Sequence, residues 1–358
     1  MAEAEGGSSA QVGRLADLDT SVAHPARVYD YWLGGKDNFA ADREAAERVL
    51  AAAPGLRYRV RANRAFLGRA TRYLAAEAGV RQFLDIGTGI PTADNTHEVA
   101  QRAAPDSRVV YVDNDPVVLL HAQALLRSAP EGATDYLQAD LRDPGTILDH
   151  AAALLDFGEP VALMLLGVLH LVQDVEDPWG IVARLMAALP SGSYLAISHP
   201  AIDIHHTQAN AQRVYNERVA TPQTLRTREQ VARFFTGLDL VEPGLVQVHQ
   251  WRPAAGGLAP EGTVSAHGGV ARKPGQQAGR LPGQRLCGPL DERVEVVAHA
   301  RAVERPSPVG QQLAHHRHAL SRDRAHHGEG AGQPVQFRCE TGDPVPAERD
   351  IRLPCGAS

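Results

Sequence analysis

Five short apolar segments alternate with helix-like segments between residues 82 and 198, and this alternation constrains the fold more than any other feature. The strand-like segments are Gln82–Ile86, Val109–Val112, Thr134–Gln138, Val161–Leu166 and Tyr194–Ser198. Helical periodicity follows them at about Asn95–Ala103, Val117–Ser128, Thr146–Leu155 and Pro178–Ala188. Strands that are joined through helices require right-handed crossovers, so the pattern predicts an α/β fold with a mostly parallel sheet buried on both faces.

Further segments flank this region. Three helical segments precede the first strand, and the last of them ends at Gly79. After the fifth strand, the pattern predicts one more helix at Arg228–Thr236 and two strand segments within Leu238–Trp251, around Pro243-Gly244. We expect these two segments to form an antiparallel hairpin at the edge of the sheet.

Composition places the chain among soluble globular proteins. Its 358 residues are 44% hydrophobic and 22% charged, with a formal net charge of −6, which argues against a nucleic-acid partner. The first ten residues lack the basic and apolar regions of a signal peptide. The longest apolar run, Val161–Val172, contains a histidine and is too short to span a bilayer, so we expect a cytoplasmic protein without a membrane partner.

The composition changes near Pro274. Beyond this residue Gly, Pro, Arg, Gln and His dominate, and all three cysteines, Cys287, Cys339 and Cys355, lie there. Such a sequence buries little apolar surface against the entropic cost of ordering, so we expect a low-complexity or disordered extension. Its histidines have no carboxylate or cysteine partners at ligand spacing, and three cysteines cannot all pair within one chain, so neither a metal site nor a disulfide framework is expected.

A Gly-x-Gly turn follows the first strand in the segment FLDIGTGIPTADNTHEVA. Gly87 and Gly89 allow backbone angles, or a close approach of another group, that a side chain would prevent. In an open α/β sheet, ligands bind beyond the carboxyl ends of the strands, which is where this turn lies. The turn alone is weak evidence for a ligand, because any tight connection between a strand and a helix can use it.

Carboxylates at three successive strand ends strengthen the ligand hypothesis. Asp85 ends the first strand, and Asp113 ends the second, roughly 20 residues beyond the glycine turn, where a carboxylate accepts hydrogen bonds from a ribose diol. Asp140 ends the third strand, where an acid accepts from an adenine amino group or caps the next turn. Together the three carboxylates indicate a ligand that contains adenosine.

The glycine turn favours S-adenosylmethionine (SAM) over a dinucleotide. A phosphate-binding fingerprint needs a third glycine, and Thr92 occupies that place. Pro91 removes an N–H donor that a diphosphate would use. SAM has no phosphate and needs only the close approach, so we expect SAM as the cofactor.

Five segments extend this argument to most of the chain: ARVYDYWLGGKDNFAADREAAE, RANRAFLGRATRYL, FLDIGTGIPTADNTHEVAQ, VVYVDNDPVVLLHAQALL and AHGGVARKP. Together, and in this order, they resemble a largely uncharacterised, mainly actinobacterial family of SAM-dependent methyltransferases. The resemblance covers about Asp19 to Pro274 and implies the class I methyltransferase fold, which is Rossmann-like, with a mostly parallel seven-stranded sheet, an antiparallel terminal hairpin and an N-terminal helical lid. Chains of that family normally end near the GGV-x-RKP segment, so the residues after Pro274 depart from the family pattern.

This resemblance divides the chain into four parts. We expect a disordered N-terminus (1–18), an N-terminal helical lid (19–79), a SAM-binding methyltransferase core (80–274) and a low-complexity or disordered extension (275–358).

The resemblance also implies that the cofactor contacts come from the glycine turn, from the strand ends and from the helical lid. The predicted cofactor-binding residues are Tyr31, Asn38, Arg64, Asp85, Gly87, Thr88, Gly89, Asp113, Asn114, Asp140, Leu141, Leu166 and Gly167. Within this set the two turn glycines would face the amino-acid part of SAM, Asp113 with Asn114 would hold the ribose, and Asp140 with Leu141 the adenine. Arg64 is the candidate for the SAM carboxylate. The aromatic residues of the first helix fit either core packing or a lid that stacks on adenine.

Two histidines are the candidate catalytic residues. His170 and His199 follow the fourth and fifth strands, and each fits either a general base or a histidine that is merely hydrogen-bonded. Methyl transfer from a sulfonium depends mainly on alignment and on exclusion of water, and a base is needed only when the acceptor must lose a proton.

We therefore predict a SAM-dependent methyltransferase with a small-molecule acceptor of the secondary-metabolite type. No amide-recognition or nucleobase-recognition motif follows the fourth strand, where the sequence reads LLGVLHLV. Two alternatives remain: a non-catalytic protein that binds SAM or S-adenosylhomocysteine (SAH), and an NAD-dependent oxidoreductase.

Overall fold

A mixed β-sheet forms the centre of the protein. The computed structural model describes residues 19–275 except 126, 218, 220 and 254–263. Five parallel strands form most of the sheet: β1 (Gln82–Ile86), β2 (Arg108–Asp113), β3 (Ala133–Gln138), β4 (Val161–Leu166) and β5 (Tyr194–Pro200). Two short strands, β6 (Asp239–Leu240) and β7 (Val246–Gln247), and a longer β8 (Ala266–Arg272) complete it, in the order β3-β2-β1-β4-β5-β8-β6, with β7 also paired to β8.

The parallel part confirms the fold predicted from the alternation of strands and helices. The order β3-β2-β1-β4-β5 reverses direction at β1, so a crevice opens at the carboxyl ends of β1 and β4. The glycine turn after β1 begins at this point.

The antiparallel edge differs from the predicted hairpin. β6 and β7 do not pair with each other; both pair with the same edge of β8, and β8 pairs antiparallel with β5. Between them, the Val241 N–H donates to Val270 O, so the segment continues along β8 instead of folding back. The terminal antiparallel hairpin therefore consists of β8 and the interrupted strand β6–β7, which together with the five parallel strands fills seven strand positions.

Glycines explain why β8 was missing from the predicted strands. A Cβ added to Gly268 would lie 2.9 Å from Val248 Cγ1 and 3.2 Å from Phe66 Cζ, so close packing requires a residue without a side chain here. Glycine weakens a strand pattern in the sequence, and only the tertiary neighbours show why it is present.

Nine helices flank the sheet in the described part of the chain. They are α1 (Pro25–Leu33), α2 (Ala40–Ala52), α3 (Leu56–Arg72, continued by a π-helical turn at Tyr73–Glu77), α4 (Thr96–Ala103), α5 (Pro116–Leu125), α6 (Pro144–Ala151), α7 (Pro178–Ala188), α8 (Gln208–Asn216) and α9 (Arg228–Ala232). The sequence pattern missed only α8. None of these helices combines the length and the hydrophobicity needed to cross a bilayer.

Successive strand residues enter the two cores on opposite faces of the sheet. Leu84 and Ile86 of β1 belong to one core, whereas Phe83 belongs to the other, together with Phe66 and Leu74 of the α3 region. This alternation follows from the pleat of a strand. Because α3 buries apolar residues in the second core, it is attached firmly to the sheet.

The first two helices pack on the start of α3 and on α8. Val28 and Trp32 of α1 share a third apolar cluster with Val60 and Tyr215. A buried ion pair ties the same region to the loop after β2, because Arg27 Nε lies 3.3 Å from Asp115 Oδ2. The N-terminal helices are thereby held over the carboxyl ends of the strands. The predicted disordered N-terminus and, except for Gly275, the predicted extension lie outside the described residues, and the division into lid and core stays a prediction.

Candidate cofactor and acceptor site

A cavity lies beyond the carboxyl ends of the parallel strands. Its walls come from the loops after β1, β2, β3, β4 and β5, from α1 and α3 above them, and from α8 with the residues that follow it. All the predicted site residues except Tyr31 and Asn38 line this cavity.

The two glycines of the turn after β1 differ in what an added side chain would contact. Gly87 has φ of 78°, and an added Cβ would lie 2.4 Å from Val168 Cγ2, so both its backbone angle and its packing require glycine. Gly89 has φ of 68°, but an added Cβ would meet no protein atom within 4 Å. The space beside Gly89 therefore remains available for a ligand, and this fits the close approach that the sequence predicts for SAM.

Asp113 is oriented by the backbone around it. Its Oδ2 accepts a hydrogen bond from the Gly89 N–H at 2.8 Å, and its Oδ1 accepts from the Asp115 N–H at 3.0 Å. Burial raises the pKa of Asp113. A carboxylate has about four acceptor positions, so two remain for the hydroxyls of a ribose. The exposed Asn114 follows it at the cavity wall.

The loop after β3 combines an acidic and an apolar group. Asp140 Oδ1 accepts from the Arg142 N–H at 2.8 Å and from Arg142 Nη1 at 3.1 Å. Arg142 Nε also donates to Glu176 Oε1 at 2.6 Å, and its side chain lines the cavity. Leu141 is buried between them. The sequence analysis did not identify Arg142, which holds Asp140 in place.

Asp85 lies beneath the glycine turn. It is 4% exposed, and its Oδ2 accepts from Thr96 Oγ1 at 2.6 Å. Burial raises the pKa of Asp85 to about 6. Thr88 Oγ1 donates to the backbone carbonyl of Asp85 at 3.1 Å, which closes the turn. Asp85 therefore contacts Thr96 through its carboxyl group and Thr88 through its backbone carbonyl, and the residue also lines the cavity.

Arg64 reaches the same turn from α3. Its Nη2 donates to the Ala93 carbonyl at 3.0 Å, just beyond the Gly-x-Gly turn. This contact places a cation at the cavity wall beside the glycines, where the resemblance puts the carboxylate of SAM. Leu166 and Gly167 form the opposite wall at the end of β4.

Tyr31 and Asn38 do not fit their predicted role. The Tyr31 hydroxyl hydrogen-bonds to Glu47, away from the cavity. Asn38 Nδ2 donates to Asp30 Oδ2 at 2.7 Å and is part of the turn after α1. The aromatic residues of α1 that do line the cavity are Tyr29 and Trp32. Residues 29 and 31 lie on different sides of a helix, so the prediction chose the wrong face.

His199 is held by hydrogen bonds on both sides of its ring. The side chain is fully buried, Arg226 Nη1 lies 2.9 Å from its Nε2, and Pro200 O lies 2.8 Å from its Nδ1. Arginine can only donate, so Nε2 accepts and Nδ1 donates. Burial, reinforced by the Arg226 charge, lowers the pKa of His199 to about 3. A ring with no free lone pair is not a general base, and this contradicts the catalytic interpretation of His199.

His170 differs from His199 in the hydrogen bonding of its ring. It lies in a short helical turn after β4, and its buried Nδ1 has no hydrogen-bond partner among the described residues. Burial lowers the pKa of His170 well below its usual range, so the ring is neutral at physiological pH. A neutral imidazole with an unpaired nitrogen at the cavity wall can accept a proton.

Polar groups that the sequence analysis did not select lie near His170. Asn63 Nδ2 donates to Tyr29 Oη at 3.0 Å, whereas Asn63 Oδ1 is buried without a partner in the described part of the chain. Arg59, one turn earlier on α3, donates from Nη1 to Gln208 Oε1 of α8 at 2.9 Å. Several arginines occur on α3, and no local pattern shows which of them line the cavity.

Comparisons with known proteins agree with this architecture. Residues 12–274 match the model of a family described as S-adenosyl methyltransferase. The chain is 50% identical to a DUF574 family protein from Streptomyces avermitilis, with a TM-score of 0.69 over 72% of this chain and 99% of that chain. It is 42% identical to a proposed methyltransferase from Thermobifida fusca, with a TM-score of 0.66 over 72% of this chain and 97% of that chain. No curated protein matches the chain. These matches confirm the resemblance that the sequence motifs indicated.

Proposed function

This chain belongs to the family of S-adenosyl methyltransferases, whose methyl donor is SAM, and we propose that it methylates a small molecule that binds beside His170. The observation that carries the proposal is the composition of the cavity. One end has the glycine turn and the strand-end carboxylates, and the other has a neutral histidine and polar atoms that have no partner among the described residues. The proposed donor site and the proposed acceptor site would thus lie in one cavity.

The cofactor end has groups suited to each part of SAM. The open space at Gly89 would admit the amino-acid part, and Arg64 would bind its carboxylate. Asp113 keeps acceptor positions for the ribose hydroxyls, and Leu141 with Asp140 would enclose the adenine. When bound, SAM supplies a methyl group that is activated by a positively charged sulfur.

His170 is proposed as the general base that accepts the proton of the methyl acceptor. SAM would supply the methyl carbon and keep the bonding electron pair on its sulfur, and His170 would accept the proton that the acceptor oxygen or nitrogen releases. Because burial keeps His170 neutral, the ring is ready to accept this proton at physiological pH. His199, fixed by Arg226, serves to position the wall behind it.

The N-terminal helices support a small acceptor. Tyr29 and Trp32 of α1 and Tyr215 of α8 border the cavity opposite the strand ends, so the acceptor end is covered by protein. A covered cavity excludes water, which favours methyl transfer over side reactions.

The test combines binding and turnover. Calorimetric titration should show SAH binding, and transfer of a labelled methyl group from SAM to a small-molecule panel should identify an acceptor. His170→Gln should then lower kcat about 10²- to 10⁴-fold, the usual contribution of a general base, with little change in SAH affinity. His206→Gln, which changes an exposed histidine away from the cavity, is the matched control. Failure to bind SAH would contradict the proposal, and full activity of His170→Gln would remove His170 from it.

A further inference from the structure

Two arginines of α3 reach the cavity at different ends. Arg64 contacts the backbone just beyond the glycine turn, at Ala93 O. Arg59 lies five residues earlier, about 7 Å along the helix axis, and contacts Gln208 of α8 instead. Both side chains line the cavity. Arg59 is therefore placed at the acceptor end and not at the cofactor end.

Arg59 is half-buried and, unlike the fully buried Arg27 and Arg226, has no acidic partner among the described residues. Arg27 lies 3.3 Å from Asp115, and Arg226 lies 2.7 Å from Asp174. Among the described residues, no carboxylate forms an ion pair with Arg59, and the one hydrogen-bond partner of its guanidinium group there is the neutral amide of Gln208. Burial lowers the pKa of Arg59 to about 10, as expected for a cation without a counter-ion. Buried charges in proteins are normally paired, so Arg59 is suited to an anion from outside the chain.

The groups around Arg59 indicate what else such a ligand would carry. Asn63 lies one helical turn further along α3, and its buried Oδ1 has no donor in the described part of the chain. His170 lines the same cavity, and its buried Nδ1 has no hydrogen-bond partner among the described residues. Asn63 Oδ1 can only accept a hydrogen bond, and Nδ1 of His170 accepts one in the tautomer that carries its hydrogen on Nε2; an anion donates no hydrogen and satisfies neither. They call for an O–H or N–H group that is separate from the negative charge.

We propose that the methyl acceptor is a small carboxylic acid, bound through its carboxylate by Arg59 and presenting a separate hydroxyl or amine towards Asn63 and His170. This inference rests on the proposed function, because it assigns a substrate class to the same cavity. The guanidinium forms two parallel hydrogen bonds to a carboxylate, which fixes the orientation of the acceptor as well as its affinity.

The carboxylate of SAM is the competing ligand for Arg59. The positions of the two arginines favour the acceptor, since Arg64 and not Arg59 contacts the segment that follows the glycine turn. A variant of each arginine separates the two possibilities, because a residue that binds the cofactor affects SAH and a residue that binds the acceptor does not.

The experiment uses the full chain saturated with SAH. Calorimetry measures the binding of paired probes that differ only in charge: 4-hydroxybenzoate with 4-hydroxybenzamide, and several aromatic and aliphatic hydroxy and amino acids with their amides. We expect at least one acid to bind tenfold or more tightly than its amide. Arg59→Gln should weaken binding of that acid roughly tenfold to a hundredfold, the range for a lost charge-assisted pair, and abolish the preference. Its SAH affinity should stay within twofold of the original.

Arg61→Gln is the matched control, because Arg61 is an exposed arginine on the same helix and does not line the cavity. It should behave like the original chain, and Arg59→Lys should recover part of the acid preference. The inference is wrong if Arg59→Gln weakens SAH binding, if amides bind as well as acids, or if SAH binds and no acid does. Failure of SAH itself to bind is a different result and would overturn the proposed function.

Discussion

Replacing each glycine of the turn after β1 by alanine separates a structural role from a ligand-binding role. Gly87 and Gly89 both have positive φ, at 78° and 68°. Only at Gly87 would the new Cβ collide with the protein, 2.4 Å from Val168 Cγ2. At Gly89 the new Cβ enters empty space in the cavity wall, where the cofactor is proposed to lie. We expect Gly87→Ala to affect mainly stability and Gly89→Ala mainly binding.

The expected magnitudes follow from these two differences. A non-glycine residue in the left-handed region costs about 1–2 kcal/mol, and this applies to both variants. Overpacking against Val168 adds about 1–3 kcal/mol to Gly87→Ala alone. In a domain of this size each kcal/mol lowers Tm by about 2–4 °C. The Tm of Gly87→Ala should therefore lie about 2–12 °C below that of Gly89→Ala.

The assay is thermal unfolding followed by calorimetric titration with SAH. Gly89→Ala should retain most of its stability and lose SAH affinity at least tenfold. Adding Val168→Ala to Gly87→Ala should recover the collision part of the loss, which a double-mutant cycle would measure as a coupling of about 1–3 kcal/mol. Equal stability of the two glycine variants, no coupling with Val168, or unchanged SAH affinity of Gly89→Ala would refute this reasoning.

Four other outcomes are expected. Asp113→Ala should weaken SAH binding by about 1–3 kcal/mol in calorimetry, since the variant lacks the carboxylate that is proposed to bind the two ribose hydroxyls. Unchanged affinity of a folded variant would exclude the ribose role. Arg64→Gln should weaken SAH by a similar amount without altering any preference for acidic acceptors, and the reverse pattern would exchange its role with that of Arg59. In a pH profile of kcat/KM, protonation of His170 should not lower activity between about pH 8 and pH 6. Burial lowers the pKa of His170, so the ring stays neutral as the pH drops past the ordinary histidine value near 6.5. An apparent pKa of about 6.5 that disappears in His170→Gln would contradict this expectation. A chain ending at Pro274 should keep the Tm and the SAH affinity of the full chain. The reason is that Lys273 still anchors the end of β8, since its backbone N–H donates to Ser193 O at 2.7 Å. A Tm loss of several degrees would argue that the extension belongs to the fold.

Local pattern was enough to predict the parallel part of the sheet and a cavity at the carboxyl ends of its strands. The start and end of β1 and β4 follow from short, mainly apolar runs bounded by polar, proline or glycine residues, and the structure has the same bounds. Once the strands are parallel, their carboxyl ends meet at one edge, so Asp85, Asp113 and Asp140 are brought to one cavity whatever the details of packing. The choice of SAM over a dinucleotide also depended only on the local sequence of the glycine turn, and the family match agrees with it.

The same local pattern could not predict which side of a helix faces the cavity. Tyr29, Tyr31 and Trp32 are all aromatic residues of one helix, and the sequence does not fix which side of α1 faces the cavity. That side is set by packing of Val28 and Trp32 against Val60 and Tyr215, which are distant in the chain. The same limit hid Arg59 among the other arginines of α3.

The chemistry of the two histidines was decided by distant partners as well. In the sequence His170 and His199 are equivalent, each following a buried strand. In the folded chain Arg226 donates to His199 and occupies its lone pair, whereas no described residue donates to Nδ1 of His170. Strand ends are set by neighbours in the chain, so the sequence alone located both rings at the site. A proton acceptor is set by neighbours in space, so only the tertiary structure separated the ring that can take a proton from the ring that cannot.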